Sequence, residues 1–565
     1  MLFAQHVAAT NFTECMLNLQ AGSSIAGLLD NAGHSVTAPA NATAITYELC
    51  KSACGANPEP FQWSIFSSQF SAWLLPWLAL ISQLPFGSRY KSDNLMSMLL
   101  TVGSPALGAY SLIFTVLNGQ WVARRLSGIK YPNVRKAWRV LASLQQSALR
   151  IDDSEGHLSS LIVLSENDEW WEELAHGLDY TQTWSLSAVS QIIWVLVAYL
   201  FTVIDSLADP TNSVNSSGQG VGAVFLWLLP IVIGYLQLSP KCDFERVRDA
   251  VDRANTSKAY RASPYNSQAP ARVLSGRRGL FIEVRDVGEA HRDEQACAPV
   301  FNYARFLHWT ADVEVVAGAF EVAASNAANH VPISASALWV EDPSLKGHIS
   351  DLNRRGTDEE VRRYTRRTKH PKRPRGLIAT GVIRRFLIAS FLALFLQWGT
   401  IGGGIVVVMY TPTTGLGCRS GAYILYAVTG TVIWLLMVLS SFLSYHAATS
   451  SSPSGPLRTL SSPRIAGMLS TGLRRIGKIL AMLNTTWIVV VCIFQFASFF
   501  DRCYCNSSVI GLGKGAYDVI NFTSSDVHAM KSAWIGSVSL SLGTATLFVL
   551  FVALYVDPPG PVSSK

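Results

Sequence analysis

Two uncharged apolar runs, 386–410 and 421–446, stand on either side of the short segment TPTTGLGCRSG. Each exceeds the roughly 20 residues that an α-helix needs to cross a hydrocarbon core ~30 Å thick. The pair predicts a transmembrane hairpin with a tight polar loop carrying Cys418. Long basic segments flank it on both sides, and the positive-inside tendency assigns them to the cytosol. The hairpin therefore orients the chain while leaving its chemistry open.

With at least seven runs of spanning length, 49% apolar residues and only 15% charged ones, the chain reads as a helical membrane protein. A β-barrel would show ~10-residue alternating segments instead, and the sequence has none. The net charge of +7 is concentrated in two loops, so anionic lipid headgroups, rather than nucleic acid, are the expected partners. The expected fold is all-α, with about seven transmembrane helices plus one partial or re-entrant segment.

The chain divides accordingly. Residues 1–62 form an exterior N-terminal region, too small for much of a core without disulfides. Its opening lacks the charged and apolar regions of a signal peptide, so either the first spanning helix serves as the signal or the true start is missing. Residues 63–118 hold the first membrane segments. Of these, 71–86 is short, carries Pro76 and Pro85 and is flanked by Trp63, Trp73 and Trp77, which suggests a partial segment. Residues 95–118 make a better span, kinked at Gly103-Ser104-Pro105. Residues 119–183 are a cytosolic loop, in which Val134, Trp138, Leu141 and Ala148 share a helical face separated by Arg135, Lys136 and Arg139. That pattern predicts a helix lying in the headgroup plane. A hairpin over 184–239, a cytosolic helical domain with a polybasic tail over 240–385, the 386–446 hairpin, a linker over 447–477, a hairpin over 478–556 with an exterior cysteine loop, and a cytosolic tail over 557–565 complete the order.

Eight full spans would put both termini on one side. Basic loops place the C-terminus inside, whereas cysteines and sequons place the N-terminus outside, so the count must be odd and 71–86 is the segment to demote. This topology puts Cys15, Cys50, Cys54, Cys418, Cys503 and Cys505 outside, an even set with 15 possible pairings. Cys242, Cys297 and Cys492 should remain thiols. The sequons at Asn11, Asn41, Asn215, Asn506 and Asn521 also fall outside and are expected to carry glycans, while those at Asn255 and Asn484 do not.

Several blocks together, among them FSAWLLPWLALISQLPFG, DNLMSMLLTVGSPALGAYSL, ENDEWWEEL, FNYARFLHW, TPTTGLGCRSGAY and FFDRCYCNSSV, resemble a family of polytopic integral membrane proteins of filamentous fungi. The resemblance covers most of the chain. It implies a fungal source and a secretory-pathway membrane, the plasma membrane or another, and it assigns no catalytic or binding residues.

The strongest enzyme-like feature is the acidic run Glu166, Asp168, Glu169, Glu172 and Glu173, which could hold Mg²⁺ or Ca²⁺ on one helical face. A solvated face beside the membrane explains the same run, with Trp170 and Trp171 as interfacial residues. No second carboxylate cluster, P-loop, nucleophile elbow or dinucleotide fingerprint accompanies it, and no cofactor is expected. The spans are nearly free of ionisable residues, which counts against ion-coupled transport. Gln191, Gln397 and Gln495 predict interhelical hydrogen bonds, and Gly402-Gly403-Gly404 predicts close helix packing. The polybasic tail, Arg362, Arg363, Arg366, Arg367, Lys369, Lys372, Arg373 and Arg375, is the candidate lipid-binding segment, releasable by phosphorylation of Thr365 or Thr368. These features favour a sensor, receptor-like protein or scaffold with protein partners on 240–385. The alternatives are a transporter or channel for a neutral or lipidic solute, and a membrane-embedded enzyme. A polar cavity at mid-membrane would favour transport, and a sealed bundle with an exterior pocket would favour sensing.

Overall fold

The computed structural model describes residues 10–152, 156–180, 184–211, 220–265, 272–273, 279–282, 289–341, 349–366, 381–450 and 462–557. Seven helices in it are long and apolar enough to cross a membrane: Trp63–Ile81, Leu186–Ala208, Val221–Leu238, Val382–Tyr410, Cys418–Thr449, Pro463–Phe496 and Ser524–Tyr555. They pack into one bundle. A disulfide-bonded layer closes one end, and a helical lobe closes the other.

The eighth apolar segment is bent. Helices Lys91–Gly103 and Pro105–Ser127 meet at 107°. Asp93, near the start of the first, pairs with Arg292 at 2.8 Å, and Arg125, near the end of the second, pairs with Glu314 at 3.1 Å. Both partners belong to the lobe. The segment therefore enters the bundle from the lobe end, turns at Ser104 and leaves by the same end. This corrects the expected partial segment, which is 91–127 and not 71–86. Pro76 sits at the start of a helical turn, where its missing N–H costs little, and a π-turn over Phe70–Leu74 carries the helix towards it. Ser104, by contrast, leaves helical geometry (φ −143°, ψ 88°) ahead of Pro105.

A helix broken inside a membrane exposes backbone groups that water cannot reach, so neighbouring side chains must satisfy them. Asn484 donates to Gly103 O at 2.8 Å and Gln397 accepts the Ala106 N–H at 3.0 Å. Tyr426 Oη donates to Val102 O at 2.7 Å, and Ser104 Oγ donates to Gly430 O at 2.6 Å. Around this joint the core is aromatic, with Trp73, Trp77, Trp227, Tyr110, Phe114, Tyr423 and Tyr426 fully buried. Backbones also approach closely. A Cβ on Gly404 would lie 3.1 Å from Gly220 O and 2.6 Å from Val224 Cγ2, so this part of the Gly402–Gly404 run serves packing.

At the disulfide end, Ala44–Thr46 pairs antiparallel with both Leu28–Leu29 and Tyr517–Val519, in the register Ala44↔Val519 and Thr46↔Tyr517. The N-terminal region thus completes its sheet with a strand from the loop between the last two spans. Bridges Cys15–Cys54, Cys50–Cys503 and Cys418–Cys505 tie the same pieces together. Cys242, Cys297 and Cys492 are buried and free, and burial pushes the Cys242 and Cys297 thiols up to about 12.

At the other end, loops 119–183 and 240–366 share one hydrophobic core. Helices Val134–Ser143, Asp168–Gly177, Phe244–Ser257 and Asn302–Ala328 bury Val140, Leu141, Trp170, Trp171, Val251 and Phe320 together. Strand Leu149–Ile151 from the first loop pairs with Leu280–Ile282 from the second. This corrects the headgroup-plane helix. The apolar face of Val134–Ser143 is covered by protein, chiefly by the helices Asp168–Gly177 and Pro105–Ser127.

Candidate functional site

A polar chamber of about 180 Å³ lies within the disulfide layer. Segment 411–420 between two spans, the loop around 501–522 and the N-terminal region build it, and the Cys418–Cys505 bridge holds its wall. Arg419 stands at its centre. Its guanidinium donates to Asp501, to Gln495 Oε1 at 2.9 Å and to Asn506 Oδ1 at 3.3 Å. Thr413 fixes the floor, with Oγ1 donating to Tyr517 O at 2.9 Å while Ser508 Oγ donates to Thr413 O at 2.9 Å.

Two further carboxylates, Glu59 and Asp518, line the chamber. Asp518 is 3% exposed, and among the described residues its carboxylate accepts no conventional hydrogen bond. Cys50 Sγ lies 3.8 Å away but is disulfide-bonded and has no proton to give. Burial pushes Asp518 up to about 7 against the pull of Arg419, with Asp501 and Glu59 adding to the rise. Burial also pushes Glu59 up to about 7, aided by Asp501 and opposed by Arg419. One guanidinium and three carboxylates leave a formal charge of 1 − 3 = −2 when all are ionised. The chamber therefore holds excess acceptors and excess negative charge, which suits a small cation bearing N–H donors.

No single stretch of sequence announces this site. Its charges sit at 59, 419, 501 and 518, and the disulfides together with the strand pairing of Ala44–Thr46 and Tyr517–Val519 bring them together. The one available signal was the position of Arg419 and Asp501 within two residues of bridging cysteines, in loops with few other charges.

The acidic run assembles no metal site. Asp168 accepts two hydrogen bonds from Arg354, each 2.6 Å, and one from Asn133 at 2.5 Å. Glu169 pairs with Lys258 at 2.6 Å, Glu172 with Lys136 at 3.0 Å and Glu173 with Arg253 at 3.9 Å, while Glu166 accepts from Ser165 at 3.4 Å. Among the described residues, no three His, Cys, Asp or Glu side chains could hold an ion. Trp170 and Trp171 are core residues and not interfacial ones, donating to Asn255 Oδ1 and Leu161 O. Asp168→Ala is expected to cost roughly 3–5 kcal/mol, because it strands the buried Arg354 charge. Glu169→Gln and Glu172→Gln, at exposed pairs, should each cost under about 1 kcal/mol in thermal unfolding. A shared metal site would make the three losses similar.

Of the expected glycan acceptors, Asn11, Asn41 and Asn521 are exposed, and Asn11 also caps a helix by accepting from Glu14 N. Asn215 lies outside the described residues. Asn506 accepts from Arg419, and its sequon partner Ser508 is buried. In the basic tail, Arg362 pairs with Asp358 at 2.8 Å and Arg363 with Glu359 at 2.9 Å, while Arg366 ends the helix Asp358–Thr365. Arg367, Lys369, Lys372, Arg373 and Arg375 lie outside the described residues, as does Thr368. Thr365 is buried with its hydroxyl 2.6 Å from Ser159 Oγ, which corrects its expected use as a phosphorylation site. Compared with known proteins, the chain matches no family model, no curated protein and no solved structure.

Proposed function

We propose that this chain is a receptor-like membrane protein. In this reading the disulfide layer faces the exterior, the lobe faces the cytosol, and the chamber around Arg419 receives a small organic cation such as a primary amine or guanidine. The observation that supports it most is the buried Asp518 carboxylate, which faces a polar chamber without a hydrogen-bond donor. The chamber touches segment 411–420, which joins two spans, so occupancy is positioned to shift the helices that carry the lobe. Anionic headgroups bound by the basic tail and protein partners on the lobe would complete the output side.

Thermal unfolding of the full-length protein at pH 8 tests this. Agmatine and ethylenediamine should stabilise the protein, by about 2.7 kcal/mol at one hundred times Kd. Tetramethylammonium, which has no N–H, should not, and Asp518→Asn should abolish the response. Equal stabilisation by tetramethylammonium, or none by any amine, would sink the reading.

The same variant carries a pH prediction. The folded-state value of Asp518 is raised to about 7, so its contribution to stability is present below the ordinary carboxylate range near 4 and is lost as pH rises towards 7. Asp518→Asn should therefore stabilise the protein at pH 8 by up to ~4 kcal/mol and flatten its stability between pH 4 and 7.

A second reading rests on a sideways-opening groove of about 1040 Å³ between the Trp63–Ile81 and Leu186–Ala208 helices, lined partly by Ser68, Ser71, Thr202 and Asp205. A mostly apolar groove with a few hydroxyls and one carboxylate, facing lipid, would suit movement of a lipidic solute. Vesicles reconstituted with the protein should then scramble a fluorescent lipid faster than empty ones.

A further inference from the structure

A cavity of about 690 Å³ lies at the opposite end from the chamber, where the lobe meets the ends of the Cys418–Thr449 and Pro463–Phe496 helices. We propose that it binds one acidic phospholipid drawn from the lobe-side leaflet. The inference rests only on the bundle lying in a membrane, and is independent of what the chamber at the other end binds.

Charge comes first. Arg150, Arg305, Arg464 and Arg474 line the cavity against one carboxylate, Glu294, for a formal balance of 4 − 1 = +3. These cations come from three separate parts of the fold: the Leu149–Ile151 strand, the Asn302–Ala328 helix and the start of a span. Glu294 is already engaged by Arg474 at 3.3 Å and by Ser444 at 3.1 Å. Arg305 is buried, and its Nε finds no partner among the described residues although its other nitrogens donate to Gln146 and to backbone carbonyls. Its nitrogens are held by an amide and by backbone carbonyls and by no carboxylate among the described residues, so its positive charge adds to the wall of the cavity.

Shape and position then select an amphiphile. The remaining wall is mostly carbon, from Trp309, Ala448 and Met468 among others. A phosphate ion alone would fill only a small part of such a volume. Met468 is 73% exposed one turn from Arg464, so an apolar surface and a cation sit side by side at the mouth. That combination matches the boundary where a phosphorylated headgroup meets its acyl chains.

Binding of dioctanoyl phosphatidic acid to the full-length protein in neutral detergent tests the proposal, with dioctanoyl phosphatidylcholine as the neutral comparator. Phosphatidic acid should bind at least tenfold more tightly than phosphatidylcholine, and inorganic phosphate should compete only at far higher concentration. Arg150→Gln with Arg464→Gln should weaken phosphatidic acid binding at least tenfold. Ala448→Trp, an exposed position that narrows the cavity without changing charge, should do the same. Arg248→Gln on the outer face of the lobe should not. Equal affinity for the two lipids, unchanged binding in either cavity variant, or competition by phosphate at the lipid's own concentration would each overturn the assignment. Asp518→Asn should leave this binding intact, which separates the result from the chamber's.

Discussion

Replacing Arg419 with methionine is expected to destabilise the protein by roughly 3–5 kcal/mol at pH 8, the scale for removing one partner of a buried ion pair. Arg419 and Asp501 are both about nine-tenths buried, and Glu59 and Asp518 share their chamber. Without the guanidinium, three carboxylates would face one another with no compensating cation. Protonation relieves that repulsion, so the loss should shrink as pH falls from 8 to 5, where the carboxylates with raised values take up protons. Adding Asp518→Asn to the variant should recover part of the loss at pH 8 and little at pH 5. Unfolding followed by tryptophan fluorescence at both pH values provides the check. An equal loss at both would show that Arg419 acts by packing and not by charge.

Gly103→Ala should cost about 3 kcal/mol or more, through forced separation of two helices and the stranding of buried polar groups. The added Cβ would stand 2.3 Å from Ala481 O and 2.8 Å from Ala481 Cα. Those are backbone atoms, so no rotamer change relieves the clash. As the helices part, Gly103 O loses Asn484, Leu99 O loses Thr485 and Val102 O loses Tyr426. Gly119→Ala is the matched control. Gly119 lies in the returning Pro105–Ser127 helix, with nothing within 4 Å of its added Cβ, and alanine there should be neutral or stabilising by up to ~1 kcal/mol. Comparable losses from both substitutions would remove the re-entrant joint as the explanation.

The spans were legible because length and hydropathy are local properties, and 386–410 or 421–446 need no partner to be recognised. The demoted segment was misread for the same reason. Residues 71–86 look weak because of Pro76, and 95–118 looks strong, yet the break at Ser104 is tolerated only because Asn484, Gln397 and Tyr426 arrive from distant helices. Those residues read in the sequence as a stray sequon, a polar residue in a span and an ordinary aromatic. The stripe on 134–143 was seen, but a stripe does not say what covers it; lipid and the helix Asp168–Gly177 make the same demand on Val134 and Leu141. The chamber was the least visible feature. Its four charges come from separate stretches joined by a long-range strand pairing and by disulfides, and the pairing of the cysteines could not be chosen among 15 possibilities.

That pairing sets a timetable for synthesis. Cys15 and Cys54 lie 39 residues apart and can meet as soon as the N-terminal region emerges. Cys50 waits for Cys503, 453 residues further on. At cellular elongation rates of ~5–20 residues per second, that wait is roughly 20–90 s. Throughout it, three cysteines stand close together with only one correct pair available among them, so the nascent domain is open to wrong bridges. Under the proposed orientation it needs a thiol-exchange catalyst until the final hairpin has inserted, and a region made well before that hairpin is among the last to be locked.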